Sequence, residues 1–272
     1  MRVREKNGVT LYSFESPAFE SVTTFVTTRH NMGRTAEPRG NFNLGLYCGD
    51  DTMHVEANLQ QLCNALDIER SNLFYPHQVH GTEVLCIDAK ILALPYDEQL
   101  KLIDGIDAIV TDIPGIAIAV TTADCVPIIL YDEVHHVVAA VHAGWRGTAQ
   151  NILSITLDAM NRVYGTQPCD VMAGIGPCIG VDAYEVGQDV VEAMRDAGYN
   201  IESIATYNRT TGKMHIDLAA ANADLLLRSG VDLMNIEVCG ICTHSNSRDF
   251  YSVRALGNTT GRFLTGVMLG GK

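Results

Sequence analysis

Val126-Pro127-Ile128-Ile129-Leu130-Tyr131 and Val137-Val138-Ala139-Ala140-Val141 are two apolar runs separated by a polar stretch that begins Asp132-Glu133. Runs of this length, rich in β-branched residues, read as strands, and two of them across a short polar turn read as a hairpin. At least part of the sheet is therefore antiparallel. With Glu133 and Val134 as the central turn residues, Cys125 pairs directly with His142 on one sheet face, their Cβ atoms about 4.5–5.5 Å apart. A thiolate and an imidazole at that separation can share a proton or a metal ion. A one-residue slip would send them to opposite faces, and strands apolar throughout do not fix the register by themselves.

Outward from the hairpin, further strands are expected at residues 22–28, 83–87, 108–111, 116–121, 171–174, 236–238 and 263–268. Helices are expected at 54–66, 148–163, 188–197 and 217–229, where apolar residues recur at helical spacing. Gly198 and Gly230 are natural stops for the last two, and Asp217 is a natural N-cap. Residues 29–43 hold three Gly or Pro residues among polar ones and read as a long loop, of a length usually kept for function. No repeat, low-complexity tract or linker marks a boundary, so residues 1–272 read as a single domain. Helices mixed with strands that include a hairpin predict an α+β fold, a layered sandwich of mixed sheet and helices.

At 272 residues and 47% hydrophobic content, one large core is affordable. No window approaches the ~18–20 consecutive apolar residues of a membrane span. Met1-Arg2-Val3-Arg4-Glu5-Lys6 is not followed by the apolar stretch of a secretory signal, so a cytoplasmic protein without a membrane partner is expected. Thirty-two acidic against 19 basic residues give a charge of −13, which repels polyanions and argues against a nucleic-acid partner. A small anion remains compatible, because a local arginine cluster can reverse the potential inside a cleft. The eight cysteines are spread along the chain, and a disulfide framework is not expected. Cys239-Gly240-Ile241-Cys242 lacks the second pair of a structural zinc site and reads as buried or near-surface thiols.

Cys125 sits in Thr121-Thr122-Ala123-Asp124-Cys125-Val126-Pro127, at the mouth of a strand with an acid beside it. His142 opens His142-Ala143-Gly144-Trp145-Arg146-Gly147, whose glycines let backbone approach a ligand and whose following helix offers N–H groups to an anion. His80 comes from Pro76-His77-Gln78-Val79-His80-Gly81, where strand alternation would place Gln78 and His80 on one face. From the residues alone two readings stand: three ligands for zinc or copper, or a buried cysteine near surface imidazoles. Three protein ligands with an open position would mark a catalytic zinc.

Phe42-Asn43-Leu44-Gly45 with Gly49-Asp50-Asp51, Gln78-Val79-His80-Gly81, Thr122–Pro127, His142–Gly147, Gly174-Ile175-Gly176-Pro177-Cys178-Ile179-Gly180 and Cys242-Thr243 follow one another along nearly the whole chain. In that order they resemble the YfiH-like, "laccase-domain" or polyphenol oxidase family of purine nucleoside phosphorylases. The resemblance implies an α+β domain similar to the catalytic domain of cytotoxic necrotizing factor, with zinc held by His80, Cys125 and His142. It also implies phosphorolysis of purine nucleosides (adenosine, inosine, guanosine, methylthioadenosine) to free base and ribose 1-phosphate, with adenosine deamination in some members. Arg29 matches the family's Thr-Arg element and Asn43 its Asn-Leu-Gly. Arg29-His30-Asn31-Met32-Gly33 departs from the usual paired glycines, and Ser252-Val253-Arg254-Ala255 from a more basic, aromatic stretch.

For phosphorolysis, Arg29 and Arg146 are the candidate phosphate ligands, since guanidinium matches phosphate oxygens bidentately. Asn43 is a further substrate-binding candidate. Asp124 is the nearest acid or base, with a structural role at the strand end as its alternative. Copper-dependent polyphenol oxidation is disfavoured, because one three-ligand site is too few for several copper centres. Rival readings are a metal-free Cys–His hydrolase or deamidase, with Cys125 as nucleophile and His142 as base, and a regulator that uses zinc for structure. A monomer and a homodimer are both compatible with the sequence.

Overall fold

In the computed structural model, residues 1–31 and 37–270 are described. Met32 and Gly33, part of the departure from the paired glycines, lie outside them with the rest of residues 32–36. Among the described residues, two six-stranded sheets and a three-stranded one make up the β structure. The first sheet runs Arg2–Lys6, Val9–Ser13, Val22–Thr27, Phe263–Leu269, Ala117–Thr122, Leu73–Phe74. The second runs Ile236–Val238, Val171–Ile175, Val126–Asp132, Val137–Ala143, Ala108–Thr111, Val84–Ile87. Parallel pairs occur at sheet edges and the inner neighbours are antiparallel. The small sheet pairs Lys213–Ile216 with Glu185–Val186 and Ala205–Asn208.

The hairpin strands are apolar throughout because both of their faces are buried. Ile129, Tyr131, Val138 and Ala140 meet Ile118, Val120 and Val267 of the first sheet in a core between the two sheets. Ile128, Leu130, Ala139 and Val141 point the other way, onto Leu153, Leu157 and Met160 of helix Ile152–Tyr164 and Leu225 of helix Leu218–Arg228. On the far face of the first sheet, Leu11, Phe25, Ala119 and Leu264 cover Val55, Leu59, Leu62 and Leu66 of helix Thr52–Leu66. The order of layers is helix, sheet, sheet, helices, a mixed α/β sandwich. Asp51 and Asp217 cap the first and last of these helices through their carboxylates.

The hairpin is real, but its register is Val126↔Ala143 and Pro127↔His142, two residues from the direct Cys125–His142 pairing. A four-residue loop replaces the expected two-residue turn. Asp132 builds it by accepting the N–H groups of Val134 (2.9 Å) and His135 (3.0 Å) and pairing with His135 Nδ1 at 2.8 Å, and His136 turns the chain at φ 53°. Because side chains alternate with period two, the shift keeps Cys125 on His142's side of the sheet. The helix expected at 148–163 is two helices, Trp145–Ala149 and Ile152–Tyr164, since Asn151 takes φ 62° between them. A first hairpin, Arg2–Lys6 with Val9–Ser13, lies outside the expected strands and turns at Asn7-Gly8, both at positive φ.

Burial alone would raise the Asp132 carboxyl, but the nearby Thr166 hydroxyl and the His135 N–H and imidazole hold it below its ordinary value. A carboxyl depressed in the fold contributes stability that is present above its unfolded value, about 3.9, and is lost as pH falls through its folded value. Asp132→Asn is therefore expected to lower the urea midpoint at pH 7, with the deficit shrinking below pH ~4. Urea melts of both proteins between pH 7 and pH 3 check this; a constant deficit would mean that the charge contributes nothing.

Candidate active site and metal centre

Three remote segments converge at one end of the hairpin. His142 lies near the end of strand Val137–Ala143, and Cys125 directly precedes strand Val126–Asp132. His80 arrives on a loop rather than the expected strand: its φ is 62°, and His77 makes only an isolated bridge to Asp104. Gln78 ties this loop to the strand leading to Cys125, donating to Thr121 O and accepting from Thr121 N, both at 2.8 Å. One ligand atom from each of His80, Cys125 and His142 lies within 4.8 Å of the other two. Cys125 Sγ is 3.8 Å from His80 Nε2, and the two imidazoles meet edge to face.

Asp107, absent from the sequence-derived candidates, organises this convergence. It immediately precedes strand Ala108–Thr111 and is fully buried. Its carboxylate accepts the N–H groups of Val79 (3.2 Å), His80 (3.0 Å) and Gly81 (2.7 Å), which fixes the His80 loop. It also lies 2.7 Å from His142 Nδ1, so the imidazole turns its Nε2 toward the thiol. The only sequence signal for it was an acid directly before a buried strand. Burial works against its charge, yet His142 and the Gly81 and Val79 N–H groups hold the carboxyl below its usual value. In the same way burial would raise the Cys125 thiol, but the two imidazoles bring it down; burial would lower His142, but Cys125 and Asp107 raise it.

The donor set fits a metal ion. Zinc bonds to sulfur and imidazole nitrogen at tetrahedral angles would place those atoms about 3.5 Å apart, close to the 3.8 Å found. Asp107 supplies the second-sphere carboxylate that a metal-bound imidazole commonly uses. Space is kept open by Gly144, where a Cβ would stand 2.9 Å from His80 Cδ2 and 3.2 Å from Cys125 Sγ. His80 is exposed and Cys125 partly so, which leaves the group accessible from one side.

That side is a pocket of about 430 Å³, walled by the triad with Tyr47, His77, Tyr184, Asp124, Arg254 and Arg262 among others. Asp124, at φ 100°, accepts the Thr243 hydroxyl and the Arg254 N–H, each at 2.7 Å, so both oxygens are engaged in joining segments behind Cys125. Asn43 is buried: its Oδ1 accepts from Gly45 N and Arg262 N, and its Nδ2 donates to Asp50. It shapes the 45–48 loop at the pocket wall.

Neither expected phosphate arginine is placed in that wall. Arg29 is buried, its guanidinium donating to the carbonyls of Ser247 and Glu37, and Arg146 lies exposed over the Trp145 ring. Arg254 and Arg262 stand there instead. Arg254 is braced by the Ala183 and Glu185 carbonyls at 3.1 Å, with Tyr184 beneath it, and Arg262 by the Thr260 and Gly261 carbonyls at 2.9 Å. Arg254 is aimed by carbonyls of a distant segment, whereas Arg262 bonds within its own turn and is tied to a distant loop only through its backbone N–H on Asn43 Oδ1.

Residues 23–270 match the family described as multi-copper polyphenol oxidoreductase laccase. A purine nucleoside phosphorylase of Bacteroides thetaiotaomicron is 37% identical over 93% of this chain and 93% of its own. Adenosine deaminase RL5, from an unknown prokaryotic organism, is 41% identical over 91% of this chain and 94% of its own. The crystal structure of YlmD from Geobacillus stearothermophilus superposes with a TM-score of 0.88 at 30% identity, covering 98% of each chain. Among the described residues no helix is long and apolar enough to cross a membrane.

Proposed function

Since the chain belongs to the multi-copper polyphenol oxidoreductase laccase family, we propose that residues 1–272 form one domain that cleaves purine nucleosides with phosphate, giving free base and ribose 1-phosphate. The observation that carries the reading is a single pocket joining an accessible His80–Cys125–His142 group to Arg254 and Arg262 in a protein of net charge −13. An acidic protein that sets two guanidinium groups at such a pocket is built to admit a small anion there. Adenosine, inosine, guanosine and methylthioadenosine are the proposed substrates, with adenosine deamination as a second activity of the same centre. The names of the phosphorylase and deaminase relatives support both.

The proposed metal is zinc, held by His80, Cys125 and His142. When bound, it would supply Lewis-acid polarisation of an oxygen in the pocket. Asp107 keeps His142 in one tautomer and orientation, and Asp124 keeps Thr243 and the Arg254 backbone in place. Arg254 and Arg262 carry the phosphate charge, and Tyr184 walls the pocket beside them. Multi-copper oxidation would need further metal centres, and among the described residues one such group is present.

The test is base release from inosine and adenosine with and without phosphate. Phosphate-dependent release accompanied by ribose 1-phosphate is expected. Release independent of phosphate would make the enzyme a hydrolase, and no release from any nucleoside would end the phosphorylase reading. Arg254→Ala is expected to raise KM for phosphate about 10- to 100-fold, the value of a charge-assisted hydrogen bond. Initial rates over a phosphate series check this; an unchanged KM would remove Arg254 from the phosphate site.

One observation favours a second reading. Cys125, His142 and Asp107 are arranged as nucleophile, base and orienting carboxylate, the layout of a metal-free cysteine hydrolase or deamidase. A dyad of that kind uses His80, 3.8 Å from the sulfur, only to help lower the thiol, so His80→Ala separates the two. It should weaken a cysteine hydrolase modestly and disable a zinc enzyme.

A further inference from the structure

The pocket wall that carries His80 also carries a pair of stacked rings that the chemistry above does not use. Tyr47 and His77 lie with centroids 3.8 Å apart and planes 26° from parallel. Tyr47 is 60% exposed, a large aromatic surface left open in a chain that buries most of its others. We propose that this pair is the platform on which the purine base stacks, with Tyr47 as the residue that selects a planar heteroaromatic ring. The inference rests on the nucleoside reading of the pocket and names how the base is held.

Both rings are preorganised. His77 Nδ1 is 2.7 Å from Asp104 Oδ1, and its backbone is pinned by hydrogen bonds to Ile103 O and from Gly105 N. Tyr47 rides on the loop that Asn43 holds through Gly45 and Asp50. Tyr47 also lines a second, apolar pocket with Leu46, Tyr96, Leu100 and Ile103. A platform already fixed in the free protein costs little ordering when a ligand lands on it. His77 and His80 are three residues apart, at most about 10 Å of chain. A base stacked here therefore leaves its ribose within reach of the His80–Cys125–His142 group.

Stacking on an aromatic ring requires a π-face and no particular hydrogen-bonding edge. The platform accordingly explains purine selection with tolerance of the exocyclic groups that distinguish adenosine, inosine and guanosine. The larger purine surface covers more of the tyrosine than a pyrimidine does, so uridine and cytidine bind more weakly.

The test is titration calorimetry of inosine and adenosine into the full-length wild-type, Tyr47→Ala and Tyr47→Phe proteins without phosphate, with metal content and melting temperature measured alongside. Tyr47→Ala should weaken nucleoside binding about tenfold or more, while Tyr47→Phe stays within about twofold of wild type. Metal content, melting temperature and phosphate KM should not move. Tyr47→Ala binding nucleosides as tightly as wild type, or Tyr47→Phe losing as much as Tyr47→Ala, would overturn the proposal. Wild-type protein that binds nucleosides through Tyr47 but releases no base would sink the phosphorylase reading and leave the platform standing. Wild-type protein that binds no nucleoside would sink both.

Discussion

Replacing Cys125 with serine is expected to empty the metal site and reduce phosphorolysis about 10³-fold or more, the order expected when several kcal/mol of Lewis-acid stabilisation is lost. The two side chains are nearly isosteric, so the change is chemical. The thiol is drawn toward its charged form by His142 and His80, which outweigh the burial that opposes it. A serine hydroxyl stays protonated at neutral pH and offers a poor ligand. Two imidazoles alone, one of them on an exposed loop, should not retain zinc against a chelator. Metal analysis after gel filtration and initial rates with inosine check both halves of the statement. A serine variant with full metal and near-normal turnover would show that the sulfur is a bystander.

Asp107→Asn is the second change with a large expected effect, and it separates orientation from ligation. The asparagine keeps one accepting oxygen in place of two, loses the charge, and cannot serve the Val79, His80 and Gly81 N–H groups and His142 as the carboxylate does. Loss of such a partner typically weakens metal affinity 10- to 100-fold, roughly the expected size here. Buried donors left without an acceptor should also cost about 1–3 kcal/mol of stability. Because His142 and the backbone donors depress the carboxyl, that stability is present at neutral pH and disappears as pH falls through the folded value, below ~3.9. Chelator competition and urea melts at pH 7 and pH 3.5 measure both effects. Unchanged affinity with lowered stability would make Asp107 a purely structural residue.

The layering and the site differ in how far they could be read from the sequence. The apolar runs of the hairpin and the helical spacing within 54–66 and 217–229 reflect burial of whole faces, which composition encodes locally. Which residue faces which does not follow from those runs. The register depended on Asp132 bonding to Val134 and His135, and the parity that keeps Cys125 beside His142 survived only because the shift was by two. Left-handed turns at His80 and Asn151 were equally hidden, since neither residue type demands a positive φ. The strand expected at His80 and the unbroken helix expected at 148–163 failed for that reason.

For the site, motif order picked out three residues that the fold brings together, whereas the groups around them were decided by distant contacts. Arg29 looked available in a loop and is held by carbonyls of Ser247 and Glu37. Arg254 became a pocket residue through bonds to the carbonyls of Ala183 and Glu185, and Arg262 through its backbone N–H on Asn43 Oδ1. Asp107 is recognisable only once four donors are seen around it. Tyr47 and His77 lie thirty residues apart with nothing in the chain to pair them.

X-ray absorption at the metal edge of the purified, catalytically active protein tests the central proposal most directly. The expected result is zinc at about one ion per chain, with one sulfur at about 2.3 Å, two imidazole nitrogens at about 2.0–2.1 Å and one further light-atom donor that changes when phosphate and inosine are added. A zinc shell closed by four protein donors and indifferent to substrate, or active protein free of metal, would contradict it.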